Sequence, residues 1–217
     1  MINTLTGTRQ DLRDLLDSRA ARPGEITLST GAKSNFYFDC KPVTLSADGA
    51  YLVGMVFLDA LEALPERPEA VGGLTHGADP IVSAMVVLSH VRECPIEGFY
   101  VRKEVKRHGT KRRIENPPKP GTKVVIVDDV VTTGKSLLQA VHEAREAGCE
   151  VIGVLALVDR EEQDGAANIR REVDTYIPLY KRSDFPRIAS VADPCHTTTT
   201  SEEPSVQEAS ASTASGA

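Results

Sequence analysis

The stretch Lys123–Ser136 reads K-V-V-I-V-D-D-V-V-T-T-G-K-S and constrains the fold more than any other part of the chain. Val124, Val125, Ile126 and Val127 form an apolar run with no polar alternation. Such a strand suits a position covered on both faces, as at the centre of a parallel sheet. Asp128 and Asp129 follow directly, and the strand is predicted to run out there. Thr132, Thr133, Gly134, Lys135 and Ser136 then open a helix. In open parallel sheets, ligands sit beyond the carboxyl ends of the strands. A Gly- and Thr-rich turn entering a helix offers free backbone N–H groups and the positive dipole end to an anion. The stretch therefore reads as a phosphate cradle with two acids beside it.

A phosphate alone would be repelled by two carboxylates, so the acids must serve another part of the ligand. Carboxylates accept hydrogen bonds from sugar hydroxyls and hold Mg²⁺ through water. A phosphorylated ribose, with its 5′-phosphate at one end and a diol at the other, satisfies both halves. Gly134-Lys135-Ser136 also matches the tail of a Walker P-loop, but that motif needs a glycine where this chain has Asp129. The plainer alternative is an ordinary strand–turn–helix whose acids favour the helix dipole. Hydrophobic run, acid pair and T-T-G-K-S together resemble the phosphoribosyl-diphosphate (PRPP) motif of type I phosphoribosyltransferases. The resemblance implies PRPP contacts from Asp128, Asp129, Val130, Val131, Thr132, Thr133, Gly134, Lys135 and Ser136.

With 217 residues and 41% hydrophobic content, the chain can build one sizeable core. Its net charge of −6 argues against wholesale nucleic-acid binding, though not against a local basic patch. Cys40, Cys94, Cys149 and Cys195 are scattered, with no C-x-x-C pair, which fits reduced thiols and a cytoplasmic setting. No apolar run approaches membrane length, and the first residues lack the apolar segment of a signal peptide.

Near the start, Leu12, Leu15 and Leu16 recur at helical spacing and predict an amphipathic helix over 8–21. Short strands are expected at 25–28 and 36–38, around a turn at 29–35. Phe36-Tyr37-Phe38 is the densest aromatic cluster in a chain that is 5% aromatic. Its rings suit either the core of a small hairpin or the walls of a site for a planar base. T-L-S-T-G-A-K-S-N-F-Y-F-D is similar to the N-terminal hood of orotate phosphoribosyltransferases, although that family often carries a lysine where this chain has Ser29. The resemblance implies that Tyr37 and Phe38 lie against the pyrimidine.

Helices are predicted over 48–64 and 81–91, with a strand at 70–74 between them. V-G-G-L-T-H-G-A-D-P resembles the same family's diphosphate-facing loop. Many members carry an aromatic–lysine pair where this chain has Thr75 and His76, a change that backbone contacts survive. His76 reads either as a general base or, more plainly, as a bystander.

After a strand at 96–101 comes R-K-E-V-K-R-H-G-T-K-R-R, in which Arg102, Lys103, Lys106, Arg107, Lys111, Arg112 and Arg113 face one acid, Glu104. A solvated basic loop is the usual fate of such a run. In an acidic chain, however, clustered cations repel one another unless an anion offsets them. A departing diphosphate is such an anion. RNA is the rival partner, but the run has no interleaved aromatics to stack bases. R-K-E-x-K-x-H-G resembles the catalytic loop of orotate phosphoribosyltransferases, which reaches into the neighbouring subunit's site. By that match Arg102, Lys103, Lys106 and His108 contact the diphosphate, Lys106 mattering most for rate, and segment 102–113 is shared across a homodimer.

Beyond the central motif, a helix is predicted over 137–147 with Gly148 at its C′ position, then an apolar strand over 150–158 ending in Asp159-Arg160. Arg160 either pairs with Asp159 or Glu161, or receives a ligand carboxylate; the family match puts it on orotate together with Thr132. Pro178 marks 176–179 as an edge strand. Residues 197–217 are polar and without periodicity, a disordered tail by composition.

The expected fold is α/β, a doubly wound parallel sheet of the type I phosphoribosyltransferase kind with a small N-terminal hood. Residues 1–196 form one domain, the hood coming mainly from 1–45. The resemblance implies Mg²⁺-dependent transfer of phosphoribosyl from PRPP to orotate, giving orotidine 5′-monophosphate and diphosphate. Mg²⁺ would be held mainly by substrate and water, with no direct protein ligand assigned. PRPP, orotate and a second copy of the chain are the expected partners, without nucleic acid or membrane. The alternatives are another purine or pyrimidine phosphoribosyltransferase, and a non-catalytic PRPP-sensing regulator.

Overall fold

A computed structural model describes residues 9–27, 31, 33–104 and 113–189. Helix α1 (Arg9–Arg19) leads into a hairpin of β1 (Ala21–Thr27) and β2 (Lys33–Phe38), followed by α2 (Lys41–Thr44) and α3 (Ala47–Leu61). Then come β3 (Ala70–Leu74), α4 (Asp79–Val91), β4 (Glu97–Val101), β5 (Ile114–Glu115), β6 (Lys123–Val131), α5 (Lys135–Glu146) and β7 (Glu150–Asp159). The chain continues through α6 (Gly165–Arg170), β8 (Tyr176–Lys181), a 3-10 turn at Arg182–Asp184 and α7 (Pro186–Ala189).

Six strands form one sheet in the order β5-β4-β3-β6-β7-β8, parallel throughout except for β5 at one edge. β8 is the other edge, where Pro178 pairs opposite Ala156. The unbroken run in β6 now has its reason. Val125 and Val127 face a core with Leu12, Val56, Phe57, Ile81 and Met85 of α1, α3 and α4. Val124 and Ile126 face the other core, with Leu137, Ala140 and Val141 of α5 and Ile169 of α6. All four are fully buried, so neither face of this strand tolerates a polar residue.

The sheet is wound in two directions from its middle. The connection from β3 through α4 leads outward to β4, whereas the one from β6 through α5 leads the opposite way to β7. The switch point thus lies between β3 and β6, where open α/β sheets bind ligands. The pairing registers open a crevice there. β6 pairs with β3 only from Val124 to Ile126, but with β7 as far as Val131. This corrects the expected strand end: Asp128 and Asp129 lie inside β6, because the long β7 carries the ladder past them.

The helix before β7 ends as expected. Gly148 N–H donates to Arg145 O (2.9 Å) and Cys149 N–H to Ala144 O (3.0 Å), the paired bonds of a Schellman motif. The hairpin is longer than its apolar pattern suggested. Ala21 pairs with Phe38 and Thr27 with Lys33, so 33–35 are strand rather than turn. Phe36 and Phe38 are buried, and Phe38 packs on Phe185, with ring centroids 4.9 Å apart. Tyr180 Oη donates to Arg9 O (2.6 Å) and ties α1 to the edge strand. The expected tail at 197–217 and Ser29 lie outside the described residues, as does Cys195. Among the described residues, no helix is long and apolar enough to cross a membrane.

Candidate active site

The carboxylates of β6 sit at the crevice. Asp128 is buried, and its Oδ1 accepts the Asp129 N–H (3.0 Å); Asp129 Oδ1 accepts the Val130 N–H (2.9 Å). Burial raises the Asp128 carboxyl well above its ordinary value, and the neighbouring charge of Asp129 adds to this. Burial also raises Asp129, partly offset by the ammonium of Lys41. Burial works against the charged form of Lys41, yet Asp129 and Asp39 hold it above its ordinary value. A buried and a half-buried acid, both raised by desolvation, are a site prepared for a cationic or hydroxyl-rich ligand.

Two cavities meet at these acids. One, of about 280 Å³, is lined by Phe38, Asp128, Arg160 and the whole segment Val130 to Ser136. Gly134 turns the chain into α5 with φ +79, and any side chain there would meet Ile169 Cγ1 at 2.8 Å. Glycine is therefore required by conformation and by space. Helix α5 starts at Lys135, and its first residues Lys135 and Ser136 line this cavity, so the helix N-terminus borders it, the arrangement that suits a phosphate.

The second cavity, of about 240 Å³, is lined by Lys41, Lys103, the turn Leu74 to Gly77, and Asp128, Asp129, Val130 and Ser136. Asp128, Val130 and Ser136 border both spaces. Gly77 brings bare backbone against the acids: a Cβ there would stand 2.5 Å from Asp129 Oδ1 and 2.8 Å from Asp128 Oδ1. His76 is largely exposed, its Nδ1 3.6 Å from Asp79 Oδ2.

The structure thus gathers Phe38, Lys103, Asp128 through Ser136 and Arg160 around one double cavity. It does not bring in Tyr37. Alternation along β2 buries Phe36 and Phe38 and sends Tyr37 to the outer face, 39% exposed. Nor does it bring in Arg102, whose guanidinium pairs with Glu115 while its backbone N–H donates to Arg113 O (2.8 Å). That bond closes the neck of the basic segment beside the second cavity. Arg113 itself pairs with Glu143 of α5 (2.8 Å). Lys106 and His108 lie outside the described residues.

Arg160 takes neither Asp159 nor Glu161 as partner. Its Nε donates to Glu162 Oε2 (2.7 Å), because Glu161 adopts φ +55 and turns the following residue back onto the guanidinium. Asp159 instead accepts the Tyr176 hydroxyl (3.0 Å) and the Glu161 N–H (2.8 Å). Reading the sequence missed Lys41, Ser34 and Glu162. Lys41 had a signal of its own, a cation just past the aromatic strand, after Asp39 and Cys40. Ser34 and Glu162 had none, since only the fold brings them together.

Among the described residues, no three or more His, Cys, Asp and Glu side chains are grouped to hold a metal ion. The donor set is two carboxylates facing phosphate-sized space. That matches Mg²⁺, which binds through one or two carboxylates, substrate phosphates and retained water rather than an all-protein cage.

Comparison with known proteins converges on the same chemistry. Residues 63–177 match the phosphoribosyl transferase domain family. An orotate phosphoribosyltransferase from Thermosynechococcus vestitus is 50% identical over 168 residues, covering 77% of this chain and 87% of that one. The crystal structure of Mycobacterium tuberculosis orotate phosphoribosyltransferase with Fe(III) dicitrate superposes with a TM-score of 0.70 at 34% identity, over 82% of this chain and 98% of that one. A second structure of that enzyme, in complex with PRPP, gives a TM-score of 0.66 at 31% identity over the same shares. The chain belongs to the orotate phosphoribosyltransferase family.

Proposed function

We propose that the two cavities divide one reaction between them, the transfer of phosphoribosyl from PRPP to orotate to give orotidine 5′-monophosphate and diphosphate. This is the activity of the family, a step in pyrimidine biosynthesis. The observation that carries the assignment of residues is the shared wall: Asp128, Val130 and Ser136 border both spaces, so one extended ligand spans them. The 5′-phosphate lies on the amides of Thr132 to Ser136. The diphosphate lies toward Lys41, Lys103 and the Gly77 backbone, and the ribose hydroxyls face Asp128 and Asp129.

As the bond from C1 to diphosphate weakens, positive charge builds on the ribose and negative charge on the leaving group. Asp128 and Asp129 hold the sugar beneath the first. Lys103 and Lys106 answer the second, with His108 alongside, in a site where preorganised charge is worth more than in water. Bound Mg²⁺ supplies further positive charge to the diphosphate oxygens, held mainly by substrate and water beside Asp128 and Asp129. Phe38 lies against the pyrimidine, and Thr132 and Arg160 receive its carboxylate. Segment 102–113 acts across a homodimer, the chain is one domain over 1–196 with its hood in 1–45, and it works in the cytoplasm.

Purified protein given PRPP, Mg²⁺ and orotate will consume orotate absorbance, whereas uracil, which lacks the carboxylate, will be a poor substrate. Uracil or a purine base turned over in place of orotate would overturn the assignment of Arg160. Two differently inactivated variants, one altered at Lys106 and one at Asp129, will regain activity on subunit exchange if the segment is shared.

A further inference from the structure

Arg160 is held by more than its counter-ion. Its Nε donates to Glu162 Oε2 (2.7 Å), and its Nη2 donates to Ser34 Oγ (3.1 Å) and to the Phe36 carbonyl (3.3 Å). The Ser34 hydroxyl donates in turn to Glu162 Oε1 (2.9 Å). The three side chains close a ring of hydrogen bonds between the hairpin and the turn after β7. Their exposures are 4%, 6% and 1% for Arg160, Glu162 and Ser34, so water does not compete. The guanidinium carbon also lies 4.4 Å from the centroid of the Phe36 ring. These bonds occupy Nε and Nη2, and among the described residues Nη1 has no protein acceptor.

A buried ion pair is a poor adhesive. The cost of stripping water from both charges roughly cancels their attraction, and apolar side chains of similar volume often do as well. The same hairpin is held in that apolar way by Phe38 against Phe185, between the 3-10 turn and α7. What a closed polar ring supplies, and an apolar contact does not, is a single orientation for a long, flexible side chain. Arg160 and Phe38 line the same cavity from different elements, and the ring fixes one relative to the other.

We propose that Glu162, with Ser34, is a positioning residue: it clamps the Arg160 guanidinium to β2 so that Nη1 is presented to the carboxylate of the pyrimidine substrate. The clamp governs affinity for that substrate and not for PRPP, which binds the opposite wall. This inference rests on the reading of the cavity as an orotate site.

The test is steady-state kinetics with orotate, together with direct titration of PRPP, on the full chain and on Glu162→Ala, Glu162→Gln and Ser34→Ala. Glu162→Ala is expected to raise the orotate KM by about tenfold or more, with PRPP affinity held within about twofold. Glu162→Gln keeps an acceptor for Nε and recovers most of that loss. Ser34→Ala breaks one side of the ring and raises the orotate KM about threefold. An orotate KM that stays put in Glu162→Ala overturns the proposal, as does an equal loss of orotate and PRPP affinity, the mark of simple structural damage. Should Glu162→Ala not fold, an unchanged orotate KM in Ser34→Ala overturns it instead. Wild-type protein that binds PRPP but turns over no orotate would overturn the functional reading, and this inference with it; normal wild-type turnover with insensitive variants would overturn the inference alone.

Discussion

The two ends of the sheet carry contrasting cavities. At the amino end, Leu58, Leu61, Leu64, Pro65 and Ile96 line much of a space of about 580 Å³ beneath the entries to β3 and β4. At the carboxyl end, the adjoining spaces of about 280 and 240 Å³ are each smaller and are walled by acids, lysines, hydroxyls and helix-terminal amides. Volume and apolar lining favour the first; the acids, hydroxyls and helix-terminal groups are gathered in the second. The difference follows from strand direction. All five long strands point their carboxyl ends the same way, so the loops that leave them collect at one edge, and the switch between β3 and β6 opens that edge. The amino end receives chain arriving from helices, whose ends are closed by their own capping bonds.

Removing charge at the carboxyl end should break this contrast most severely. Asp129→Asn and Lys106→Ala are each expected to lower turnover by about tenfold or more, some 1.4 kcal/mol of barrier. Near-normal kcat in either would contradict its assigned role. Gly77→Ala probes the same end without touching charge. Its methyl must displace the acid pair or the turn, so turnover falls by about tenfold while the fold, followed by circular dichroism, is kept.

A fourth variant separates activity from stability. The Asp128 carboxyl is raised in the folded state, so between its ordinary and raised values the folded chain holds more protons than the unfolded one. Stability of the ligand-free protein therefore falls as pH rises through that window. Asp128→Asn keeps an oxygen for the Asp129 N–H and removes the buried charge. It should be inactive yet more stable in urea at neutral pH, by about 1 kcal/mol or more, with a flatter pH dependence. A loss of stability would mean that the charge is better compensated than its surroundings indicate. The smallest effect belongs to the amino end. Arg67→Ala gives up one exposed bond to Cys94 O (2.6 Å), so kcat/KM should stay within about twofold and stability within about 1 kcal/mol. A larger kinetic change would tie the two ends together.

Hydrophobic periodicity made most of the sheet and its helices legible. The run at Val124–Val127 announced a strand buried on both faces, and Gly148 announced the end of α5. The hairpin was less legible because β1 is exposed along most of its length and carries no apolar alternation. α7 and the turn before it, which cover the hairpin's aromatic residues, are too short to show a period at all.

Within the site, the cradle could be read because one contiguous segment makes it: the backbone of Thr132 to Ser136 needs only its own turn and helix. The acid pair was equally plain as residues, but not its condition. That Asp128 is buried and raised depends on β7 extending the ladder and on Gly77 closing over it, two distant parts of the chain. Tyr37 and Phe38 were indistinguishable in the sequence, and the pleat alone separated them. The clamp on Arg160 joins residues 34 and 36 of the hairpin to residues 160 and 162, which are remote from them in the chain. Short-range chemistry was therefore determined by the sequence itself, since neighbouring residues share a backbone. Orientation, burial and the pairing of remote charges were decided only when the strands chose their partners, because those properties belong to contacts and not to residues.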